Sequence, residues 1–227
     1  MAASALLALA APTADAKIIE LGKTATEPKP SCPTVPPSGT NPGVKCLAMS
    51  RTTGYQARAG AGRDLFRVPE AGKVVAWSVT LANPNKKERE FFEKTLGGPA
   101  SAGISVLRPG RKLYGRITGA SPVEPLSDYF GQTVQFPLGR ALNVQKGYVV
   151  ALTVPTWAPV LAINFGNDHS WRASRTKEQC DDTGTQTAQS TPGVLTRFSC
   201  LYRTARLTYS VTIITEPKPG GKQPEER

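Results

Sequence analysis

Apolar and polar positions alternate along most of the chain, and helical periodicity is confined to one segment. Val75, Trp77, Val79 and Leu81 alternate with Ala76, Ser78 and Thr80, the spacing of a strand with one buried face. Leu207, Tyr209, Val211 and Ile213 alternate in the same way with Arg206, Thr208, Ser210 and Thr212. Leu161, Ile163 and Phe165 form a shorter run, as do Val134, Phe136 and Leu138. Residues 148–154 are apolar nearly throughout, which predicts a central strand covered on both faces. Shorter strands are expected over 46–50, 65–68, 104–107, 113–118 and 198–203. Turn signals separate these runs, among them Arg108-Pro109-Gly110, Lys146-Gly147 and Gly166-Asn167-Asp168.

The exception is Asn83-Pro84-Asn85 followed by KKEREFFEKTLGG. Asn83 suits a cap, Pro84 the first helical position and Gly97 the stop. Glu90 and Lys94 stand four apart, and Phe91, Phe92 and Leu96 are expected to face a sheet. Nine or ten strands with one helix predict an all-β fold, a two-sheet antiparallel β-sandwich, jelly-roll-like, with one short inserted helix.

The length of 227 residues suits one domain with a sizeable core. Hydrophobic residues at 39% and charged residues at 20% indicate a globular chain. The expected divisions are a leader over 1–16, a Pro-rich arm over 17–45, the sandwich over 46–215 and a disordered tail over 216–227. The leader MAASALLALAAPTADA has a short apolar run and a small-x-small ending at Ala14 and Ala16, which predicts export and cleavage after Ala16. It departs from the usual pattern in having no Lys or Arg before Lys17, and it is too short to span a bilayer.

Four cysteines in an exported chain are expected to pair. Of three possible connectivities, the local one is preferred, Cys32 with Cys46 and Cys180 with Cys200. Each pair brackets a loop rich in turn formers, and closing each loop stabilises by about 3 kcal/mol. No CxxC motif is present, which argues against a redox dithiol or a zinc knuckle.

Formal charge is +11, and loss of the leader removes only Asp15, leaving 28 basic against 16 acidic residues. Such a chain, secreted or held at the cell wall, is expected to meet an anionic glycan or cell-wall polymer. The basic residues form no recognisable nucleic-acid motif, and no apolar tail predicts a membrane span. The pieces GKVVAWSVTLANP, ISVLRP and TVQFPLGRALNVQKGYVVALTVP, with the later LTYSVTI, resemble exported β-sandwich proteins of high-GC Gram-positive bacteria. The GYVVAL segment is also similar to one in galactose-binding-like jelly-roll modules. The resemblance covers about residues 63–214 and implies a sandwich; it transfers no functional residue.

Chemical motifs are sparse. His169 is the sole histidine, and no GxSxG elbow accompanies it. One His and four oxidised Cys cannot build a zinc site; Asp181 and Asp182 are weak calcium candidates, and no cofactor is expected. The acidic residues avoid the strong strand patterns, which argues against a glycosidase. Ligand-binding candidates are Trp157, Tyr129 and Trp171, rings in loop contexts, with Arg172 and His169 beside the last. Arg108, Arg111, Lys112 and Arg116 surround Tyr114, a mixture of cations and ring that suits an anionic glycan. The expected function is a non-enzymatic binding module. The alternatives are a matrix protein without a specific ligand and a secreted hydrolase. The first predicts that Trp157, Tyr129 or Trp171 cluster on one exposed surface, the second predicts that they are buried, and the third needs a cleft with at least two convergent titratable groups.

Overall fold

The computed structural model describes residues 16–181 and 186–217. The expected leader (apart from Ala16), Asp182 and most of the expected tail lie outside them. Strands are β1 (Ile18–Leu21), β2 (Met49–Arg58), β3 (Gly72–Thr80), β4 (Ser101–Pro109) and β5 (Tyr114–Ala120). They continue with β6 (Glu124–Pro125), β7 (Thr133–Val144), β8 (Val149–Ala158), β9 (Leu161–Ala162) and β10 (Ser170–Ala173). The last are β11 (Leu195–Arg197), β12 (Cys200–Arg203), β13 (Arg206–Leu207) and β14 (Tyr209–Thr215), and α1 (Lys86–Leu96) lies between β3 and β4. The fold is all-β and sandwich-like. One sheet has the order β1-β14-β3-β7; the larger runs β11-β5-β4-β8-β2-β10-β12, with β6 on β4. β9 and β13 form a separate pair.

The two sheets share one core. Val74, Trp77, Val79, Val211 and Ile213 from the smaller sheet join Ile104, Val106, Leu152 and Val154 from the larger. Tyr209 crosses between them: its hydroxyl donates to the Val150 carbonyl at 2.9 Å, and its ring stacks on Phe66 at 4.0 Å. Burial removes the phenolate's hydration and pushes the Tyr209 pKa well up, so the group stays a donor.

Several sequence expectations shift in detail. The register of β3 slips between Val74 and Ala76, so Val74 takes the core position and Val75 is only half-buried. The 161–165 run stops as a strand at Ala162, because Asn164 turns the chain at φ +67°. The N-terminal arm is not wholly an arm: β1 pairs along β14 from Ile18 opposite Ile214 to Leu21 opposite Val211. The helix starts later than expected. Asn85, not Asn83, is the cap, in a reciprocal capping box with Glu88. Asn83 instead accepts from Arg89. Phe92 and Leu96 pack inward, while Phe91 is 62% exposed. The helix ion pair is Lys86 with Glu90 at 3.9 Å.

Both expected disulfides are present, Cys32–Cys46 and Cys180–Cys200. Within the loop that the second closes, Gln186 and Gln189 lie over the outer face of the larger sheet. Ser105 of β4, Thr153 of β8 and Thr53 of β2 are buried there, linked hydroxyl to hydroxyl at 2.7 and 3.2 Å. Thr53 Oγ1 donates to the Gln189 carbonyl at 2.7 Å and accepts from the Gln189 N–H at 3.0 Å. Arg51 Nε donates to the Gln186 carbonyl at 2.8 Å. The loop therefore supplies partners that water would otherwise provide, and that makes burial of these hydroxyls tolerable.

Candidate functional site

The edge of the larger sheet formed by β4, β5 and β11 presents five exposed cations. Leu107 and Ile117 point into the core, so their neighbours Arg108 and Arg116 point outward by strand alternation. Arg108 stands opposite Arg116, which stands opposite Leu195. In the adjoining row Tyr114 stands opposite Arg197, whose guanidinium lies 5.7 Å from the tyrosine ring centre. Arg111 and Lys112 occupy the turn between β4 and β5.

Local sequence explains the placement. The turn closes through the Gly110 N–H, which donates to the Tyr114 carbonyl at 2.7 Å. The Phe198 N–H donates to the Leu113 carbonyl at 2.9 Å and ties this hairpin to the chain near Cys200. A Cβ on Gly115 would come within 3.1 Å of the Phe198 ring, so glycine lets that ring seat beneath the sheet. Lys112 and Leu113 both hold positive φ, +54° and +66°. That region costs a branched side chain about 1–2 kcal/mol. Leu113→Gly is therefore expected to stabilise the protein by about 1 kcal/mol, read as a Tm rise of about 2–4 °C in a thermal melt. A lower Tm would mean the Leu113 side chain contributes more than its strain costs.

The electrostatics of this face are one-sided. Among the described residues none of the five cations forms an ion pair. Arg116 Nη1 donates to the Gly193 carbonyl at 2.6 Å, a neutral partner. The field of Arg197 reaches Glu178. That carboxyl sits below its ordinary value chiefly through a hydrogen bond from its own backbone, then one from Thr176. Like charges directly opposite on paired strands repel, so Arg108 facing Arg116 is a local cost that an anion would remove. Guanidinium forks match carboxylate and phosphate oxygens two at a time, and the Tyr114 ring offers a flat apolar surface beside them.

The binding candidates named from sequence do not gather on one surface. Trp157 is fully buried: it packs on Phe92 at 4.9 Å and Phe130 at 5.5 Å, and its Nε1 donates to the Gly98 carbonyl at 3.1 Å. The prolines on either side of it mark a strand end that closes the core, so this ring cannot stack on a ligand. Trp171 is 4% exposed and stacks on Tyr202 at 4.5 Å. Arg172 follows it in β10 and so projects from the opposite face, where Nη1 donates to the Phe198 carbonyl at 3.2 Å. Tyr129 is half-buried, edge-on to Phe136 at 5.5 Å.

His169 stacks on Phe165 at 4.4 Å, and its Nδ1 lies 3.0 Å from Asp168 Oδ1. That hydrogen bond, above all, holds the Asp168 carboxyl below its ordinary value. No nucleophilic hydroxyl is hydrogen-bonded to the ring in the described residues, and Ser170 is buried in the β10 pairing. Asp181 is exposed; among the described residues no group of three His, Cys, Asp or Glu side chains is placed to hold a metal ion.

The cluster around Tyr114 is visible in the sequence except for Arg197 and Leu195. Those two arrive through the β11–β5 pairing from about eighty residues away, and no local pattern announces that pairing. Among the described residues no helix is long and apolar enough to cross a membrane. No protein-family model, curated protein or solved structure matches the chain.

Proposed function

We propose that the protein is a non-enzymatic binding module that works outside the cytoplasm and holds an anionic cell-wall polysaccharide on its β4–β5–β11 face. The observation that carries this reading is the cross-strand pair Arg108 and Arg116, exposed, like-charged and without an ion-pair partner among the described residues. Two disulfides support a workplace where thiols stay oxidised. An extended polyanion needs no deep cleft. It gains from several charge-assisted contacts along a flat face, with Tyr114 set against a sugar ring.

The test is affinity for soluble polygalacturonate, with neutral amylose as control, across a salt series. The variant Arg108→Ser/Arg116→Ser/Arg197→Ser is expected to bind at least about tenfold more weakly, with a shallower salt dependence. A control triple of exposed cations elsewhere, Lys73→Ser/Lys87→Ser/Arg140→Ser, removes the same charge and is expected to lose far less. Equal losses would mean that net charge alone drives retention. That outcome would favour the second reading, a matrix protein without a specific ligand, which the burial of Trp157 and Trp171 also supports.

A further inference from the structure

A groove of about 370 Å³ opens at the opposite end of the larger sheet, beside β10 and β12. Its volume falls at the lower end of the range for small-molecule sites. The walls are apolar: Leu47, Met49, Leu161, Ile163 and Ala205, with the Trp171–Tyr202 stack. Gly54 allows that stack, since a Cβ there would come within 2.9 Å of the Trp171 ring. Ile163 and Asn164 also line an adjoining hollow of about 290 Å³ that reaches Lys29, so the apolar surface continues past the first cavity.

One group is out of keeping with these walls. Arg175 lines the groove and is 4% exposed. Its Nη1 donates to the Tyr202 hydroxyl and its Nη2 to the Ser50 carbonyl, both at 2.6 Å. Its Nε–H meets no acceptor. Among the described residues it has no carboxylate partner. A buried cation without a counter-ion is costly, and so is a buried donor without an acceptor. Arg203, exposed at the rim, adds a second positive charge and no negative one. The Tyr202 hydroxyl passes the network on to the Cys180 carbonyl, so the Cys180–Cys200 disulfide helps fix the guanidinium in place.

We propose that this groove binds a fatty carboxylate, its chain along Leu47, Met49 and Ile163 and its carboxylate at Arg175, whose buried Nε–H edge turns toward the groove to meet it. The ligand supplies both missing elements, an acceptor and a negative charge, and its tail suits the apolar stretch of Leu47, Met49, Leu161 and Ile163. The site is separate from the basic face, and neither reading depends on the other.

Decanoate and decanol, which differ only in the head group, are the probes, with binding followed by calorimetry on the whole chain at fixed salt. Decanoate is expected to bind at least about tenfold more tightly than decanol, the effect of one charge-assisted contact. Arg175→Lys keeps the charge but removes the fork, and is expected to lose at least tenfold for decanoate and little for decanol. Leu47→Asp places a like charge at an exposed rim position where folding is not at stake, and is expected to lose as much. Val123→Asp makes the same charge change at an exposed site remote from the groove lining and is expected to change nothing. Decanol binding within tenfold of decanoate overturns the proposal. So does undiminished decanoate affinity in Leu47→Asp, or an equal loss in Val123→Asp, whether or not Arg175→Lys folds.

Discussion

Trp157→Ala is expected to destabilise the protein by about 4 kcal/mol. Its ring has no exposed surface and touches both Phe92 of α1 and Phe130. Truncation leaves a cavity that helix and strand cannot jointly close, and it strands the Gly98 carbonyl that now accepts from the indole N–H. α1 docks chiefly through Phe92, so the helix should loosen first. Urea denaturation of wild type and variant measures the total, and amide exchange in α1 measures the local part. A Tm drop on the order of 10 °C is expected at this chain length. A loss below about 1 kcal/mol would show that the ring is not a core residue. Trp157→Phe keeps most of the volume and should cost clearly less.

The second large effect concerns the loop over the hydroxyl row. Cys180→Ser/Cys200→Ser is expected to cost about 3 kcal/mol from loop entropy alone, and more once the loop lifts. Lifting removes Gln189 from the row, so the hydroxyls of Thr53 and Ser105 lose their shared carbonyl partner, and Thr153, bonded to both, loses its fixed neighbours. Loss of exchange protection should concentrate on β2, β8 and β4. Cys32→Ser/Cys46→Ser opens a loop of similar length and should cost a similar entropy term. That loop covers no comparable row, so the exchange pattern over the larger sheet should stay intact. Identical patterns in the two double variants would mean that the Cys180–Cys200 loop is a tether and not a cover.

The residues behind these two effects differ in how visible they are along the chain. The apolar run 148–154 announces a central strand, and β8 lies between β4 and β2 with six consecutive buried residues. Its partner β2 is largely silent: MSRTTGYQAR has no hydrophobic alternation. Thr52 and Thr53 are buried there because hydroxyls and a distant loop satisfy them, and Gln56 because its amide meets the backbone of Ala205 and Leu207. Alternation reports burial only when the buried face is apolar. The loop aromatics mislead for a related reason. A Trp between prolines reads the same whether it closes a core or faces a ligand, and only the positions of Phe92 and Phe130 decide which.

By itself the sequence determined the fold class and the presence of the one helix, because these rest on local periodicity, and it favoured the local disulfide pairing without excluding the other two connectivities. It also marked the cations around Tyr114 as neighbours in the chain. Tertiary structure alone decided that Arg108 faces Arg116, that Arg197 joins them, and that Trp171 and Arg172 part to opposite faces. It alone placed Arg175 against apolar walls without a counter-ion among the described residues. Register, strand order and the path of the disulfide loop set those relations, and they are long-range quantities that no window of sequence contains.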